Sequence, residues 1–299
     1  MQAASRKIAN YCHRFLLITS TCITIWASDI ADVDYQFVIK FNSEVSLMDF
    51  SDKTVLITGA SRGIGRVTAN AFAAAGASVA IHYHSQAQAA EQLRDSLPGQ
   101  GHIIVQANIA DATAVADMVA QTITGLGHID ILVNNAGIFQ AHPLSEVSYE
   151  EWQSAWHNII STNLIGAANV SYCVARHMIE RGGGRIVNVS SRGAFRGEPL
   201  ANAYGASKAG LNAFSQSLAQ HLAPHNIYVM VVAPGFVQTD MARWMLDSSQ
   251  GEAIRQQSPL NRVARPEEVA HTILFLASEG AEFVTGGIVD VNGASYLRS

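Results

Sequence analysis

From Met48 onward the chain alternates short apolar, β-branched runs with longer stretches in which apolar positions recur at helical spacing. The runs are TVLIT (54–58), ASVAI (77–81), HIIVQA (102–107), DILVNN (130–135), RIVNVS (185–190), IYVMVV (227–232) and IVDV (288–291). Hydrophobicity that is continuous rather than alternating marks strands buried on both faces. Patterns such as GRVTANAFAAAG, ATAVADMVAQTITG and the long stretch from Tyr149 to Arg181 predict helices between them. Strands that alternate with helices are joined by right-handed crossovers. The expected fold class is therefore α/β and doubly wound: a single domain with a seven-stranded parallel sheet flanked by helices. No repeat, low-complexity tract or linker divides residues 48–299.

Residues 1–47 have a different character. Arg6, Lys7 and Arg14 precede FLLITSTCITIW, and small residues follow at Ala27 and Ser28. The apolar run is too short for a membrane span, which needs about 20 residues. The segment is an N-terminal extension with three readings: a targeting segment, a start misassigned upstream of Met48, or an integral element. Composition adds limits. The chain is 48% hydrophobic and 14% charged, as suits a sheet buried on both faces, and its formal net charge is −5. That balance advertises neither nucleic acid nor an acidic membrane surface as a partner. Cys12, Cys22 and Cys173 have no metal-ligand spacing, so no metal is expected, and they point to a reducing compartment, the cytoplasm.

The first strand runs directly into a glycine-rich turn and a helix opening, TVLITGASRGIGRVTANAF. Gly59, Gly63 and Gly65 permit a tight turn and a close approach of ligand to backbone. The helix beginning near Ile64 would present free N–H groups and its positive dipole end to a pyrophosphate, with Ser61 and Arg62 beside it. This is the Rossmann arrangement, although the spacing G-x-x-x-G-x-G differs from the common dinucleotide fingerprint. NAD preference usually comes from an acid after the second strand. Here Tyr83 and His84 stand in that place and no acid follows before Glu91. Arg62 can pair with a 2′-phosphate, so NADP(H) is the expected cofactor and NAD the alternative.

Tyr204 and Lys208 lie four apart on a predicted helix and so share a face, aimed into the cleft beyond the strand ends. A tyrosine near its ordinary pKa of about 10 is a poor acid–base group at neutrality. A nearby ammonium and a positive nicotinamide are expected to lower it. The phenol can then give its proton to the alkoxide that forms as hydride reaches a carbonyl carbon.

Four ordered motifs carry a resemblance: TGASRGIG (Thr58 to Gly65), NNAG (Asn134 to Gly137), Tyr204-x-x-x-Lys208 and PGFVQT (Pro234 to Thr239). Together they resemble the short-chain dehydrogenase/reductase family from about Phe50 to the C-terminus, with the nearest likeness to its 3-oxoacyl-(acyl-carrier-protein) reductase branch. The resemblance implies an oxidoreductase that moves hydride between nicotinamide and a carbonyl or secondary alcohol. It implies Ser191 as the residue that orients the substrate oxygen, with Ser190 a less well spaced alternative, and Asn163 as organiser of a proton-relay water. It also implies cofactor contacts from Asn135, Ala136 and Gly137, from Pro234, Gly235 and Val237, and from Thr239 to the carboxamide. Asn108 stands where relatives usually carry an aspartate near the adenine.

The substrate is left open. A 3-oxoacyl thioester on acyl carrier protein or coenzyme A is one expectation, with Arg181 and Arg185 available to an acidic carrier. His225 and Asn226, where relatives often have an arginine, count against the carrier. An alcohol or sugar dehydrogenase is the second reading, and a cofactor-binding sensor or scaffold without catalysis the third. Arg192, directly after Ser191, departs from the family pattern. Either it or Arg196 binds an anionic substrate group, or Arg192 forms an ion pair with Glu198. Trp244, Met245 and Leu246 are expected to line the substrate side. Ala206, Gly210, Ala213 and Ser217 form a small-residue stripe on the Tyr204 helix, opposite Leu211, Phe214, Leu218 and Leu222, which suggests a homodimer or homotetramer.

Overall fold

The structure is a computed structural model that describes residues 48–298; the expectations for residues 1–47 lie outside them. All seven expected strands form: β1 (Thr54–Ile57), β2 (Ser78–Tyr83), β3 (Ile103–Gln106), β4 (Ile131–Asn134), β5 (Gly184–Val189), β6 (Ile227–Pro234) and β7 (Ile288–Val291). They build one parallel sheet in the order β3-β2-β1-β4-β5-β6-β7. The chain steps outward from β1 to β3 and then returns to place β4 against the other side of β1. That reversal leaves a crevice at the carboxyl ends of β1 and β4, where a doubly wound fold binds its ligand.

Alternate strand residues feed two cores. Val55, Ile57, Val79, Ile81, Val187 and Val232 pack on one face, with Phe72 of α1 (Gly63–Ala74) and Leu93 of α2 (Ala87–Ser96). Leu56, Leu132, Ile186 and Val229 pack on the other, with Met118 of α3 (Ala112–Leu126). This is why the central strands read as unbroken apolar runs: β1 and β4 are buried along their whole length, whereas the edge strands β3 and β7 are only partly buried.

The stretch from Tyr149 to Arg181 is not one regular α-helix. It begins as α4 (Tyr149–Ile160), capped by Ser148 and Glu151, widens into a π-helical turn (Ser161–Gly166), and continues as α5 (Ala167–Arg181). Gly166 lies so near Ile109 that a Cβ there would sit 2.9 Å from the Ile109 carbonyl oxygen. Beyond β5 come the short α6 (Gly193–Arg196) and the long α7 (Asn202–Leu222). The last helices are α8 (Asp240–Leu246), α9 (Gly251–Arg255) and α10 (Pro266–Ala277), the last of which packs with Val269 and Ile273 on the α1 side of the sheet.

On α7 the core face is Leu211, Ala219 and Leu222, and Ala206, Ala213 and Ser217 are exposed as the pattern suggests. Gly210 departs from that stripe. A Cβ there would stand 2.9 Å from Leu164 Cδ2, so this position accommodates the π turn of the same chain. Among the described residues no helix is long and apolar enough to cross a membrane.

Candidate active site

The carboxyl ends of the strands border a cleft of about 730 Å³. Its floor is the junction of the β1 and β4 turns. Gly59 adopts φ +64°, and a Cβ on it would lie 2.9 Å from Ala136 Cα, so a side chain has neither the conformation nor the room. Thr58 Oγ1 accepts the backbone N–H groups of Asn135 and Ala136, both at 3.0 Å. The Asn135 amide in turn donates to the carbonyls of Thr58 and Gly59 at 2.9 and 3.0 Å.

Gly65 differs from its expected place. It is buried behind the wall, where a Cβ would be 2.5 Å from both Asn135 Nδ2 and the Gly59 carbonyl, so it lets α1 pack onto the turn rather than touch a ligand. Gly63, Ile64 and Ser61 do line the cleft, and Thr239 brings its methyl within 3.5 Å of where a Gly63 Cβ would stand. Arg62, exposed at the N-cap of α1, lines the same end as Tyr83, His84 and Asn108. Pro234, Gly235, Val237 and Gly137 complete the expected wall. The glycine cradle, the free N–H groups of α1's first turn and the size of the cleft fit an extended dinucleotide with its phosphates at the turn.

At the opposite end Tyr204 and Lys208 project from the first turns of α7. Lys208 Nζ donates to the Val189 carbonyl at 2.8 Å and lies 5.9 Å from the centre of the Tyr204 ring. Ser190 is buried with its hydroxyl donating to the Lys208 carbonyl at 3.3 Å, whereas Ser191 Oγ accepts the Gly193 N–H at 3.0 Å and lies near enough to the Tyr204 phenol to favour its ionised form. The two serines are thus distinguished: Ser191 faces the phenol. Phe139 packs edge-on against Tyr204 with ring centres 5.2 Å apart, a contact no sequence signal announced.

The electrostatics correct one expectation. Burial pushes the Tyr204 phenol up to about 12, with the Ser191 hydrogen bond opposing and the Glu198 charge reinforcing the rise. Burial also pulls the Lys208 ammonium down to about 8. In the protein alone, desolvation of the phenolate outweighs an ammonium 5.9 Å from the ring.

Asn163 does not line the cleft. It is buried in the π turn, where Oδ1 accepts the Ile138 N–H at 2.8 Å and Nδ2 donates to the Ile138 carbonyl at 3.0 Å and to Ser207 Oγ at 3.2 Å. A Cβ on Gly137 would lie 3.3 Å from Asn163 Oδ1 and 3.5 Å from Lys208 Nζ, so both side chains meet at the NNAG turn.

The substrate side differs more from expectation. The Arg192–Glu198 ion pair does not form: Arg192 donates to Ser295 Oγ at 2.6 Å and lies over the Phe236 ring at 5.3 Å, and among the described residues no carboxylate oxygen is within 4.0 Å of it. Arg196 points away from the cleft and reaches Gln257. Trp244 is 54% exposed and off the wall, which Met241, Ala242 and Met245 form instead. Leu246 is buried beneath α8 against Ala242 and Ile254. Arg185 is paired to Glu282 and half-buried, whereas Arg181 is exposed at the end of α5.

His82 was missed by sequence reasoning, although a histidine within an apolar strand is a legible anomaly. It is buried, accepts the Gly59 N–H on Nδ1 at 2.9 Å, and faces the Ala107 carbonyl with Nε2 at 3.1 Å.

Residues 59–294 match the family model described as Enoyl-(Acyl carrier protein) reductase. The 3-oxoacyl-(acyl-carrier-protein) reductase FabG of Escherichia coli (strain K12) is 39% identical over 250 residues, covering 84% of this chain and all of the relative. The chain belongs to the short-chain dehydrogenase/reductase family. The Synechocystis 3-oxoacyl-(acyl-carrier-protein) reductase is 38% identical over 82% of this chain and 97% of its own length. Among solved structures, a dehydrogenase/reductase from Sinorhizobium meliloti 1021 superposes with a TM-score of 0.77 at 30% identity, covering 86% of this chain and all of that one. The short-chain dehydrogenase/reductase titled Glucose/ribitol dehydrogenase from Brucella melitensis gives 0.76 at 32%, over 84% of this chain and 99% of that one. As a short-chain dehydrogenase/reductase the chain is an NAD(P)-dependent oxidoreductase acting on CH–OH and C=O groups.

Proposed function

We propose that this enzyme uses NADPH to reduce the carbonyl of an oxoacyl substrate to the hydroxyacyl product, with Ser191, Tyr204 and Lys208 as its working groups. The observation that supports this reading is that Ser191, Tyr204 and Lys208 line the same cleft as the glycine turn and Arg62, with Ser191 near enough to the phenol to influence its pKa. Bound NADPH supplies the hydride. Ser191 holds the carbonyl oxygen, and Tyr204, at about 12 a firmly protonated phenol, delivers its proton to that oxygen as negative charge develops there. Lys208, fixed by the Val189 carbonyl, places a positive charge beneath the phenol that steadies the phenolate left behind. Asn163 is a positioning residue that ties the π turn to the NNAG turn beside Lys208.

NADP(H) rather than NAD(H) is supported by the cleft's far end, where β2 closes on Tyr83 and His84 without an acid and Arg62 stands exposed. The oxoacyl substrate follows the printed names of the relatives. The same reading takes the enzyme to work as a homo-oligomer in the reducing cytoplasm.

The test is NADPH oxidation with acetoacetyl-coenzyme A. Tyr204→Phe should lower kcat/KM by roughly 10²- to 10⁴-fold while NADPH still binds. Crotonyl-coenzyme A, which offers a C=C bond, should give no turnover, and oxidation of ribitol with NADP⁺ should be slower than reduction of the oxoacyl substrate. Turnover that survives in Tyr204→Phe, or an enzyme that binds NADPH yet reduces no oxoacyl compound, overturns the reading.

A further inference from the structure

Among the described residues, Arg192 is a cation without an ion-pair partner at the substrate end of the cleft. Only 3% of it is exposed, yet the protein pairs its guanidinium with a single neutral hydroxyl, Ser295 Oγ, and an aromatic face, Phe236. It lines the main cleft beside Ser191 and also a second, smaller cavity of about 180 Å³ behind Phe236, so it stands in the wall between them.

Among the described residues, every acid near it is engaged or held apart. In the smaller cavity Glu268 is taken by Arg262 through two hydrogen bonds of 2.8 and 2.6 Å, and Asp290 by Arg298 at 2.7 Å. In the main cleft Glu198 stays beyond ion-pair distance, packed where a Cβ on Gly193 would touch its carboxylate, and burial raises its pKa against the opposing pull of Arg196 and Arg192. Burial disfavours the charged guanidinium, Arg196 adds repulsion from outside, and the more distant Glu198 charge opposes them without forming an ion pair. A buried charge left in this way is destabilising unless something pairs with it. A guanidinium has five donors in a planar fork shaped for a carboxylate, and here one is used within the protein.

We propose that Arg192 is the recognition residue for a carboxylate on the substrate, and that the preferred oxoacyl compound is a free oxo acid rather than one masked as a thioester or ester. The inference rests on the proposed hydride transfer to a carbonyl held by Ser191, since Arg192 follows Ser191 directly and its backbone N–H is fixed to the Pro234 carbonyl at 2.8 Å. That bond ties the start of the Arg192 side chain to the cleft wall. The carboxylate would replace the missing counter-ion, and the carbonyl of the same molecule would lie toward Ser191 and Tyr204. No covalent step is added: the acid group is held and the carbonyl alone is reduced.

The test uses the full chain with acetoacetate, its methyl ester and acetoacetyl-coenzyme A, following NADPH in each case. The wild type should reduce acetoacetate with a kcat/KM roughly tenfold or more above the ester. Arg192→Met should lower the acid's kcat/KM by roughly 10- to 100-fold, mainly through KM, and change the ester's by less than about threefold. Arg192→Lys, which keeps the charge but loses the fork, should fall between. Equal losses for acid and ester, or a wild type that prefers the ester or thioester, overturn the proposal, and the second of these is read even if no Arg192 variant folds. A calorimetric titration of 3-hydroxybutyrate into the NADP⁺-loaded enzyme separates the two readings. Arg192-dependent binding without any Tyr204-dependent turnover sinks the hydride reading and keeps the anion site, whereas no binding sinks the anion site.

Discussion

His82 has to stay neutral to hold the cofactor turn. Its Nδ1 accepts the Gly59 N–H, so the proton of the neutral ring sits on Nε2, facing the Ala107 carbonyl. One imidazole therefore links the ends of β1, β2 and β3 at the cleft floor. Burial lowers its pKa from 6.5 to about 4, the Ala107 carbonyl opposing and His84 adding a little. Between those values the unfolded chain binds the proton and the folded chain does not, so stability rises with pH across that window. The penalty is fully present below about pH 4 and absent above about pH 6.5; it is worth at most about 3 kcal/mol. In His82→Asn, the amide oxygen can replace Nδ1 as acceptor and nothing titrates. Urea melts of the two proteins from pH 7 to pH 4.5 should show the wild type losing the larger share of its stability. Parallel pH profiles would remove His82 from the account. Gly59 was legible as a turn glycine from its neighbours in sequence, but its tie to His82 was not, because the two meet only when β1 and β2 pair.

At the scale of the element, the strand–turn–helix unit from Thr54 to Ala74 was readable because each of its signals is local: an apolar run, closely spaced glycines and a helical pattern. The π turn was not, because its causes lie elsewhere in the chain. Gly166 fits against Ile109, and Asn163 bonds Ile138, neither of which is near it in sequence. The same reasoning explains Trp244. Its segment was correctly read as apolar, but which side of α8 faces the cleft depends on the small core of Ala242, Leu246 and Ile254 beneath it. The turn gives a direct prediction. Gly59→Ala must place a methyl 2.9 Å from Ala136 Cα on a backbone with φ +64°, so both strain and collision act on the β1–β4 junction. The variant should lose about 1–3 kcal/mol of stability and bind NADPH at least roughly tenfold more weakly, read by thermal melting and by fluorescence titration. Wild-type NADPH affinity in that variant would mean the turn does not cradle the phosphates.

For the whole molecule, the order of strands follows from what the sequence makes plain, since parallel strands joined by helical crossovers leave few ways to wind seven of them. Assembly is harder to read, because a surface that a second copy covers looks in the sequence like any exposed face. Here the structure separates the α7 stripe into two parts. Gly210 is used by Leu164 of the same chain, while Ala206, Ala213 and Ser217 remain exposed. The helices packed beside α7 also expose large apolar side chains: Tyr149 on α4 and Ile165 in the π turn, at 68% and 47%. Small exposed residues next to exposed aromatic and aliphatic ones suit close helix packing between copies more than they suit water. Ala213→Arg decides the matter, because in a monomer an exposed arginine on a helix surface touches nothing and should alter stability by about 0.5 kcal/mol or less. In a dimer or tetramer built on α7, two such arginines meet across the symmetry axis, and the like charges and added bulk oppose association. Light scattering on a size-exclusion column should give a multiple of the chain mass for the wild type and a smaller one for the variant. An unchanged mass in Ala213→Arg would place any assembly on another face, with α7 exposed for some different reason.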